Sequence, residues 1–559
     1  MKVVIIGGVA GGATAAARLR RLNESAEIIV FERSGYVSYA NCGLPYYIGG
    51  EIKRRSALTL QTPESFKRRF NIDVRVNSEV IKIDRAAKKV RVRTKDGEYD
   101  ESYDKLIYSP GARPVVPEGG EQEGFFTLRT VEDTFAVDDF IKEHSPKKVI
   151  VAGGGFIGLE AAENLVRRGI SVTLIHGREQ VLPQVDYETA CFLNAELRQS
   201  GVNLVLSSRV EKLRKTESGV EVEAGGKIYA ADFCLLALGV LPETHLAEDA
   251  GLELGIKKAV VTDGHMCTSD VDIYAVGDAV QIKNMVTGKD TLFALAGPAN
   301  KQGRIAADNI CGINSVYAGG EGSSVIKVFS LTCAFTGLNS AAAKEAGYDS
   351  DSVILFSANH ATYYPGARNM TLKVIFDKKS GKILGAQAVG YDGVDKRIDV
   401  LAVAIKAGMT AYGLQELDLC YAPPYSSAKD PVNMAGYAIA NVLGGVKQFT
   451  WRELPGVLGS GDNFILDVRT EEEFAEGHFE GAVNIPVDDL RENLAKVPKD
   501  KKVYVNCHSG LRSYIACRIL MGNGYDCYNF SGGYRLYSAI CGEAEAGGVP
   551  RHPCGIPIA

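Results

Sequence analysis

The segment SYANCGLPYYIGG, residues 38–50, contains a single cysteine, Cys42. A cysteine thiolate can attack the sulfur of a disulfide or persulfide, and a helix N-terminus can lower the pKa of the thiol. We predict such a helix near Gly43–Leu44. Because the segment holds no second cysteine, the sulfur that resolves a mixed disulfide must come from the substrate or from a bound small thiol. The alternative is a small buried side chain that only packs.

Upstream of this cysteine, a glycine-rich turn joins an apolar strand to a helix in KVVIIGGVAGGATAAARLRRL. Gly7 allows a tight turn and Gly12 allows close packing of helix on strand, so that the helix N-terminus can face a pyrophosphate. The middle glycine of the usual pattern is replaced by Val9. The next strand, AEIIVFER, ends at Glu32, where a carboxylate suits the ribose hydroxyls of an adenosine. An ordinary buried turn is the alternative.

A second glycine turn lies in KKVIVAGGGFIGLEAAENLVRRGISVTLIHGRE, where Gly153, Gly155 and Gly158 complete the pattern without a gap. This turn predicts a site for a nicotinamide dinucleotide. The following strand ends at His176, where NAD sites often carry an acid. Arg178 can accept a 2′-phosphate or can be a solvated loop charge, so the choice between NADH and NADPH stays open.

Further segments resemble flavoproteins with two dinucleotide sites. YDKLIYSPGARP and FCLLALGVLPET resemble their two crossover segments, and SDVDIYAVGDAV resembles their distal flavin motif, in which Asp278 holds the ribityl chain of FAD. Together with the two glycine turns, these segments predict FAD and NADH or NADPH as cofactors. The predicted cofactor-binding residues are Gly7, Gly12, Glu32, Arg33, Asn41, Gly111, Gly153, Gly155, Gly158 and Asp278.

The bulk properties of the chain limit its partners and compartment. With 559 residues and a net charge of -5, there is no electrostatic case for nucleic acid or an anionic membrane. The sequence contains no apolar run long enough for a transmembrane helix, and its N-terminus enters a strand without the basic segment of a signal peptide. The twelve cysteines include no CxxC pair. We therefore expect a cytoplasmic enzyme with reduced thiols and no metal.

Three segments carry a closer resemblance: SYANCGLPYYIGG, NHATYYPGA and LCYAPPYSSAKDPVNMAGY are similar to coenzyme A-disulfide reductases. These are single-cysteine members of the pyridine nucleotide–disulfide oxidoreductase family, and the resemblance covers residues 1–445. It implies that Cys42 forms a mixed disulfide with coenzyme A, and that the protein is a homodimer in which two tyrosines of the other subunit assist the sulfur chemistry. The tyrosines that match the motifs are Tyr363 and Tyr421, with Tyr364 and Tyr425 as neighbouring alternatives.

The same resemblance implies a coenzyme A site. Arg18 and Arg21 lie three residues apart on one helical face, so both can meet an anionic tail. A solvated basic stripe is the alternative. At Phe70, relatives can carry a lysine. The implied coenzyme A contacts are Thr14, Arg18, Arg21, Ser38, Asn41, Asn300 and Lys429.

The C-terminal segment from residue 451 to 548 resembles rhodanese domains. A predicted strand, KVYVN, delivers Cys507 to the loop CHSGLR, whose backbone N–H groups can stabilise a thiolate or persulfide, and Arg512 adds a positive charge. Cysteine phosphatases use a loop one residue longer, so this loop is sized for sulfane sulfur. Four residues are expected to hold the scaffold together: Asp467, Arg469, Glu473 and His478. Two tail cysteines could relay sulfur or be incidental: Cys541 and Cys554.

The predicted fold class is α/β, with two Rossmann-like dinucleotide-binding domains, an α+β dimerisation domain and a C-terminal α/β rhodanese domain. The FAD-binding domain is predicted in two parts, and the NAD(P)H-binding domain lies between them. The predicted boundaries are 1–110 and 246–323 for the FAD-binding domain, 111–245 for the NAD(P)H-binding domain, 324–445 for the dimerisation domain, and 446–559 for the linker and rhodanese domain.

Three functions compete. The first is an NAD(P)H-dependent reductase of coenzyme A persulfide, polysulfide or coenzyme A disulfide, in which Cys42 receives electrons from FAD and Cys507 handles sulfane sulfur. The second is an NADH oxidase or peroxidase that uses a cysteine sulfenic acid. Such enzymes tend to carry a histidine in the first glycine turn, where this chain has Ala10. The third is a sulfurtransferase that delivers persulfide to a partner protein.

Overall fold

The structure is a computed structural model that describes residues 1–544 of the 559-residue chain. These residues divide into two compact units. The first consists of residues 1–179 and 202–322, and the second consists of residues 180–201 and the chain from residue 323 onward. Within the part of the chain that is described, no helix is both long and apolar enough to cross a membrane.

The first unit is built mainly from short strands with helices between them. Up to residue 126 its elements are β1 (Lys2–Ile6), α1 (Ala10–Leu22), β2 (Glu27–Phe31), α2 (Leu44–Ile48), α3 (Pro63–Phe70), β3 (Asp73–Arg75), β4 (Glu79–Asp84), β5 (Lys89–Thr94), β6 (Gly97–Ser102), β7 (Lys105–Tyr108), β8 (Ala112–Pro114) and β9 (Phe125–Phe126). The following elements are α4 (Val131–His144), β10 (Lys148–Ala152), α5 (Phe156–Arg167), β11 (Ser171–Ile175), α6 (Tyr187–Gln199, part of the second unit), β12 (Asn203–Val205), β13 (Val210–Thr216), β14 (Gly219–Ala224), β15 (Lys227–Ala231), β16 (Phe233–Leu236) and β17 (Val240–Pro242). The first unit ends with α7 (His245–Asp249), β18 (Ile273–Ala275), β19 (Ile282–Lys283), β20 (Asp290–Thr291) and α8 (Ala296–Ile310).

Two parallel five-stranded sheets organise this unit, in the orders β18-β7-β1-β2-β3 and β12-β11-β10-β16-β9. Their central strands are continuous apolar runs, as expected for parallel sheets that are covered on both faces. Strands β1 and β2 pair from Lys2 opposite Glu27 to Ile6 opposite Phe31, so the residues that follow them emerge at one sheet edge. Antiparallel three-stranded sheets, β4-β5-β6 and β13-β14-β15, accompany the two parallel sheets.

The second unit contains an antiparallel sheet and a further parallel sheet. The elements from residue 323 to 445 are β21 (Ser324–Val328), β22 (Leu331–Gly337), α9 (Ser340–Glu345), β23 (Ser350–Ala358), β24 (Asn369–Asp377), β25 (Ile383–Gly390), α10 (Val394–Lys406), α11 (Ala411–Gln415) and α12 (Pro431–Leu443). The remaining elements are β26 (Lys447–Phe449), α13 (Leu454–Leu458), β27 (Asn463–Asp467), α14 (Glu471–Ala475), β28 (Val483–Asn484), β29 (Lys502–Asn506), α15 (Leu511–Gly522), β30 (Cys527–Phe530) and α16 (Gly533–Ala544).

The antiparallel sheet has the order β21-β22-β25-β24-β23, and helix α10 packs on β22 and β25. The parallel sheet has the order β26-β30-β29-β27-β28. In it, β27 and β29 pair from Asn463 opposite Lys502 to Asp467 opposite Asn506. The residue that follows β29 therefore emerges at the carboxyl edge of a parallel sheet, where α/β folds place their functional loops.

Residues 180–201 join the second unit, although the sequence analysis places them in the NAD(P)H-binding segment. A buried ionic cluster accounts for this grouping. The ammonium of Lys373 on β24 lies 2.7 Å from the carboxylate of Asp186 and 2.5 Å from that of Glu188. The side chain of Gln387 also donates to Asp186, at 2.8 Å. The domain boundaries given above otherwise stay predictions.

Candidate active sites

Cys42 lies in a short 3₁₀ turn, Asn41–Gly43, that runs directly into helix α2. Its segment is tied to the first glycine turn, because the N–H of Ser38 donates to the carbonyl of Gly8 at 2.8 Å. Ser38 has a φ of 47°, a left-handed conformation that costs a serine energy and must be held by its surroundings. The side chain of Cys42 is exposed. The thiol is therefore accessible next to the first glycine turn.

The pKa of the Cys42 thiol is raised, so the expectation that a helix lowers it is wrong. Burial by the surrounding protein is the largest cause of this increase, even though the residue as a whole is exposed. The negative charge of Glu160 adds to the increase, and Arg129 opposes it. Helix α2 has only five residues, a length that limits its dipole. The surrounding protein therefore favours the thiol over the thiolate.

Glu160 is a titratable neighbour of Cys42 that the sequence analysis missed. It lies on α5, two residues after Gly158, and its carboxylate accepts a hydrogen bond from the hydroxyl of Tyr46 at 3.2 Å. Burial raises the pKa of Glu160 to about 7. Burial and the charge of Glu160 likewise raise the pKa of Tyr46. Helix α5 therefore brings a carboxyl that titrates near neutral pH into the electrostatic surroundings of the Cys42 sulfur.

The first glycine turn has the close approaches that a dinucleotide site requires. A Cβ on Gly12 would lie 1.9 Å from the carbonyl oxygen of Gly7, and Gly7 has a φ of 91°, so both positions need glycine. Glu32 is buried, and its carboxylate accepts the N–H of Gly8 at 2.9 Å. The side-chain oxygen of Asn41 is buried and has no hydrogen-bond partner among residues 1–544. An unsatisfied acceptor beside this turn fits a bound FAD.

The predicted flavin residues at the far end of this site are held by a group that the sequence analysis missed. The guanidinium of Arg129 forms an ion pair with Asp278 at 2.9 Å and donates to the carbonyl of Ala112 at 3.2 Å. Gly111, just before Ala112, has a φ of 78°. Arg129 therefore joins the crossover segment to the distal flavin motif. By contrast, the guanidinium of Arg33 lies 3.8 Å from the carboxylate of Glu243.

The second glycine turn is arranged like the first. Gly153 has a φ of 117°, and a Cβ on Gly158 would lie 1.8 Å from its carbonyl oxygen. A Cβ on Gly155 would meet no atom within 4 Å, so this position leaves the open approach that a pyrophosphate needs. The N–H of Gly154 donates to Nδ1 of His176 at 3.1 Å. The turn and the end of β11 therefore meet as a nicotinamide dinucleotide site demands.

Two arginines flank the end of β11, and only one of them was anticipated. Ser208 donates its N–H to the carbonyl of His176 at 3.0 Å, so the two loops run side by side. These loops carry Arg178 and Arg209, both exposed. Burial and the charge of Arg178 lower the pKa of His176, which stays neutral at neutral pH. The edge that would face an adenosine ribose therefore carries positive charge and a neutral histidine.

The residues implied for coenzyme A lie in both units. On α1 and α8, the hydroxyl of Thr14 donates to the side-chain oxygen of Asn300 at 2.5 Å, and Arg18 forms an ion pair with Asp308 at 2.7 Å. Arg21 is exposed, and no ion pair involving it occurs within the described residues. Asp308 neutralises part of the charge of Arg18. Of the two arginines, Arg21 therefore offers the more available positive charge to a ligand. Lys429 belongs to the second unit, where it is exposed.

In the second unit, the two tyrosines implied by the resemblance contact each other. Their hydroxyls, on Tyr363 and Tyr421, are 2.8 Å apart, and the side chains are 74% and 48% exposed. This hydrogen bond raises the pKa of Tyr363. The neighbouring Tyr364 instead packs edge-on against His360. The geometry therefore pairs Tyr363 with Tyr421, whereas Tyr364 contacts a different residue.

The loop after β29 surrounds the second candidate nucleophile. The sulfur of Cys507 is fully buried and accepts hydrogen bonds from the N–H of Gly510 at 3.0 Å and from the hydroxyl of Ser513 at 3.2 Å. Gly510 has a φ of 98°, which turns its N–H toward the sulfur. The sequence analysis missed Ser513. Two donors directed at one sulfur stabilise a thiolate or persulfide anion.

The positive charge expected of Arg512 is paired. Its guanidinium donates to both carboxylate oxygens of Glu473, each at 2.7 Å, and this pairing lowers the pKa of Glu473 to about 2. Arg512 therefore braces the loop and offers less net charge than the sequence suggested. A second ion pair joins the guanidinium of Arg469 to the carboxylate of Asp467, and both residues are buried. The ring of His478 contacts the carbonyl of Phe474 at 2.9 Å.

A sulfur relay through the two tail cysteines stays a prediction. Cys541 lies on α16, and Cys554 lies outside the described residues. Over residues 1–544, no cluster of His, Cys, Asp and Glu side chains is arranged to bind a metal ion.

Three family models match consecutive parts of the chain. Residues 1–321 match the pyridine nucleotide-disulphide oxidoreductase family, residues 323–431 match the dimerisation domain of the same family, and residues 450–540 match the rhodanese-like domain. These matches confirm the predicted fold class, with FAD- and NAD(P)H-binding folds followed by dimerisation and rhodanese domains.

Among curated relatives, a protein named NADH oxidase from Methanocaldococcus jannaschii is 36% identical over 442 residues, which are 78% of this chain and 98% of the relative. Coenzyme A disulfide reductase from Staphylococcus haemolyticus is 37% identical over 443 residues, again 78% of this chain and 98% of the relative. Neither match covers the whole of this chain.

Two solved structures extend over nearly the whole chain. The reduced Bacillus anthracis protein described as CoADR-RHD is 47% identical, has a TM-score of 0.95, and aligns with 97% of this chain and 98% of its own. The NAD-dependent persulfide reductase of A. fulgidus is 41% identical, has a TM-score of 0.90, and aligns with 96% of this chain and 100% of its own. The chain therefore belongs to the pyridine nucleotide-disulphide oxidoreductase family, whose members use FAD and NAD(P)H, and it carries a rhodanese-like domain in addition.

Proposed function

We propose that the protein uses FAD and NADH or NADPH to reduce coenzyme A persulfide, polysulfide or coenzyme A disulfide through Cys42, and that its rhodanese domain handles sulfane sulfur. One observation carries the proposal: a single accessible thiol beside a dinucleotide turn occurs in the same chain as a complete sulfur-binding loop around Cys507. The names of similar proteins, coenzyme A disulfide reductase and NAD-dependent persulfide reductase, support it.

In the proposed reaction, the thiolate of Cys42 attacks the sulfur of a persulfide that is bonded to coenzyme A. The S–S bond breaks, hydrosulfide leaves, and Cys42 is joined to coenzyme A by a mixed disulfide. FAD, when bound, supplies two electrons from NAD(P)H that cleave this disulfide. The Tyr363–Tyr421 pair of the partner subunit donates a proton to the departing coenzyme A thiolate. The hydrogen bond between the two hydroxyls holds that proton in place.

Residues of the first unit would bind coenzyme A. Arg21 offers an exposed charge for a phosphate of the anionic tail, whereas Arg18 is partly neutralised by Asp308. The remaining proposed contacts are Thr14, Ser38, Asn41, Asn300 and Lys429. Lys429 belongs to the dimerisation segment, so a homodimer is part of the same proposal. We also propose a cytoplasmic location.

The rhodanese domain would supply the persulfide. Cys507 accepts a sulfane sulfur from a donor persulfide, and the donors on Gly510 and Ser513 stabilise the resulting Cys507 persulfide anion. A coenzyme A thiolate then attacks the outer sulfur and takes it away, which regenerates Cys507 and produces the substrate for Cys42.

Separate cysteine variants test this division of labour. With NADH and coenzyme A persulfide, we expect Cys42→Ser to lose sulfide release, because the thiol that forms the mixed disulfide in the proposed reaction is missing. Cys507→Ser should keep disulfide reduction and lose sulfur transfer from a persulfide donor to coenzyme A. Sulfide release is followed colorimetrically and NADH consumption by absorbance. Unchanged release in Cys42→Ser, or equal loss of both activities in Cys507→Ser, contradicts the proposal.

The similarity to a protein named NADH oxidase supports a second candidate, an oxidase or peroxidase in which Cys42 forms a sulfenic acid. Comparing NADH turnover with oxygen, peroxide and coenzyme A persulfide separates the two. A peroxide-dependent turnover faster than the persulfide-dependent turnover would favour this second function, and a preference for persulfide would favour the first.

A further inference from the structure

Two loops of the second unit carry the tyrosine pair. Residues 359–368 connect β23 to β24 and carry Tyr363, and residues 416–430 connect α11 to α12 and carry Tyr421. Neither loop contains regular strand or helix along its length, and both tyrosines are exposed. A hydrogen bond between two exposed side chains contributes little positional order by itself. The pair must therefore be held by the backbones beneath it.

The two loops are joined directly below the tyrosines. The N–H of Ala361 donates to the carbonyl of Ser426 at 3.0 Å, and it also lies 3.3 Å from the carbonyl of Pro423. Asn359 is fixed within its own loop, because it exchanges hydrogen bonds with Arg368: the N–H of Asn359 donates to the carbonyl of Arg368, and its side-chain oxygen accepts the N–H of Arg368, each at 2.9 Å. The position of one loop therefore depends on the other.

Arg397 connects both loops from inside the domain. It lies on α10 with a relative exposure of 1%. Its Nη2 donates to the carbonyl of Asn359 at 3.1 Å, to the hydroxyl of Ser426 at 3.0 Å and to the carboxylate of Asp430 at 2.9 Å. Its Nη1 donates to the carbonyl of Gly393 at 3.1 Å. One planar group thus contacts the base of the first loop and the end of the second.

The carboxylate of Asp430 completes this network. It accepts the hydroxyl of Ser426 at 2.7 Å and the N–H of Val432 at 3.0 Å, which caps the first turn of α12. Lysine could not replace Arg397, because a guanidinium offers donors in a fixed plane and an ammonium does not. A buried ion pair adds little net stability over an apolar substitute, so its value here is the single geometry that it enforces.

We propose that Arg397 is a positioning residue for the Tyr363–Tyr421 pair, and that it acts through Asn359 in one loop and through Ser426 and Asp430 in the other. This inference rests on the proposed function, in which the pair delivers a proton to coenzyme A. Arg397 touches neither tyrosine in the contacts described above. Its effect is to fix where two hydroxyls stand relative to a leaving sulfur, and small displacements of such groups cost rate.

A matched pair of serine variants tests the inference with little risk to folding. Ser426→Ala removes the hydroxyl that accepts from Arg397 and donates to Asp430. Ser340→Ala is the control, because the hydroxyl of Ser340 likewise accepts from buried Lys373, at 2.8 Å, and donates to Asp186, at 2.9 Å. We expect Ser426→Ala to lower kcat with coenzyme A disulfide about tenfold with little change in KM. Ser340→Ala should leave both parameters unchanged.

Arg397→Lys is the stronger variant, and we expect it to lower kcat about 30-fold, since a lysine cannot span both loops. Reduction of an artificial electron acceptor by NADH in the same holoenzyme does not use the tyrosines and should keep its wild-type rate. In a Tyr421→Phe background, Arg397→Lys should cost less than threefold more, because the pair that it positions is already broken. This non-additivity distinguishes positioning from a general loss of structure.

The outcomes separate the inference from the function on which it rests. If Tyr363→Phe and Tyr421→Phe leave kcat with coenzyme A disulfide unchanged, the proposed role of the tyrosines fails. If those variants lower kcat but Ser426→Ala does not, the positioning role of Arg397 is wrong even when Arg397→Lys fails to fold. An equal loss of disulfide and artificial-acceptor activity in Ser426→Ala, or full additivity with Tyr421→Phe, also overturns it.

Discussion

The reactivity of Cys42 depends on a small number of neighbouring charges. Burial and Glu160 raise the pKa of its thiol, and Arg129 acts in the opposite direction. The effect of Glu160 changes with pH, because the pKa of its own carboxyl is raised to about 7. Below that pH the carboxyl is neutral and has no charge to repel a thiolate. Above it, the ionised carboxylate makes the Cys42 thiolate harder to form.

Glu160→Gln should therefore speed alkylation of Cys42 only at higher pH. We expect rates close to wild type at pH 6 and an increase of about threefold to tenfold at pH 8, equivalent to a decrease of up to about one unit in the thiol pKa. Labelling by iodoacetamide, with mass spectrometry of the peptide that contains Cys42, gives the rate.

Tyr46→Phe is the companion variant. The Tyr46 hydroxyl stabilises the carboxylate of Glu160, so Tyr46→Phe should raise the pKa of Glu160. The pH above which ionised Glu160 slows the alkylation of Cys42 should therefore be higher. An equal increase at pH 6 and pH 8 in Glu160→Gln would contradict this account.

At the level of elements, the glycine turns could be predicted because their constraint is local. Gly7 and Gly153 need positive φ angles, and Gly12 and Gly158 need close backbone contact, so each leaves a recognisable pattern in a short segment. Arg129 could not be predicted in this way. Its role depends on a partner 149 positions away in the chain. Pairing between residues so far apart in the chain produces no recognisable spacing pattern in the sequence.

The same reasoning explains the wrong prediction for the Cys42 pKa. The sequence correctly indicated a helix next to Gly43, and the dipole of a longer helix would have lowered the pKa. The main cause is burial of the sulfur, and the charge that adds to it comes from Glu160 on a different helix; the order of residues reveals neither. Ser513 and Arg397 were missed for a similar reason, since each becomes informative only when its hydrogen-bond partners are known.

We predict that the positive charge at the end of β11 helps the protein accept NADPH, and this prediction can be tested at Arg178. Arg178 and Arg209 are exposed, and the strand-end position where NAD sites often carry an acid is occupied by His176, which is neutral. We expect Arg178→Ala to raise the KM for NADPH about tenfold, or ~1.4 kcal/mol, and to change the KM for NADH less than twofold. Titration with 2′-phosphorylated and unphosphorylated adenosine nucleotides checks binding independently of turnover. Equal losses for both cofactors would show that Arg178 does not recognise the phosphate.

At the scale of the whole second unit, the rhodanese segment contacts both helix α6 and the dimerisation segment. The ring of Trp451 lies 5.8 Å from that of Tyr187, and the hydroxyl of Tyr514 donates to the side chain of Asn441 at 3.0 Å. Arg535 stacks over Phe356 on β23 at 4.6 Å, and its N–H donates to His508 in the Cys507 loop. Strand β23 leads into the loop that carries Tyr363. The sulfur-binding loop and one tyrosine loop are thus supported by a common strand.

Whether the tyrosines serve the cysteine of their own chain is a property of the assembly, and mixed dimers can measure it. Cys42→Ser chains and Tyr363→Phe/Tyr421→Phe chains should each have little activity alone. If each site takes Cys42 from one subunit and the tyrosines from the other, a mixed dimer contains one intact site. Random mixing makes about half of the dimers mixed, so co-expression in equal amounts should restore about a quarter of wild-type activity. Sites built within single chains would gain nothing from mixing, because every chain present would lack either its cysteine or its tyrosines. Dimers isolated through two different affinity tags, one on each variant, should show about half of wild-type activity, and a value equal to that of the parent variants would rule out the shared site.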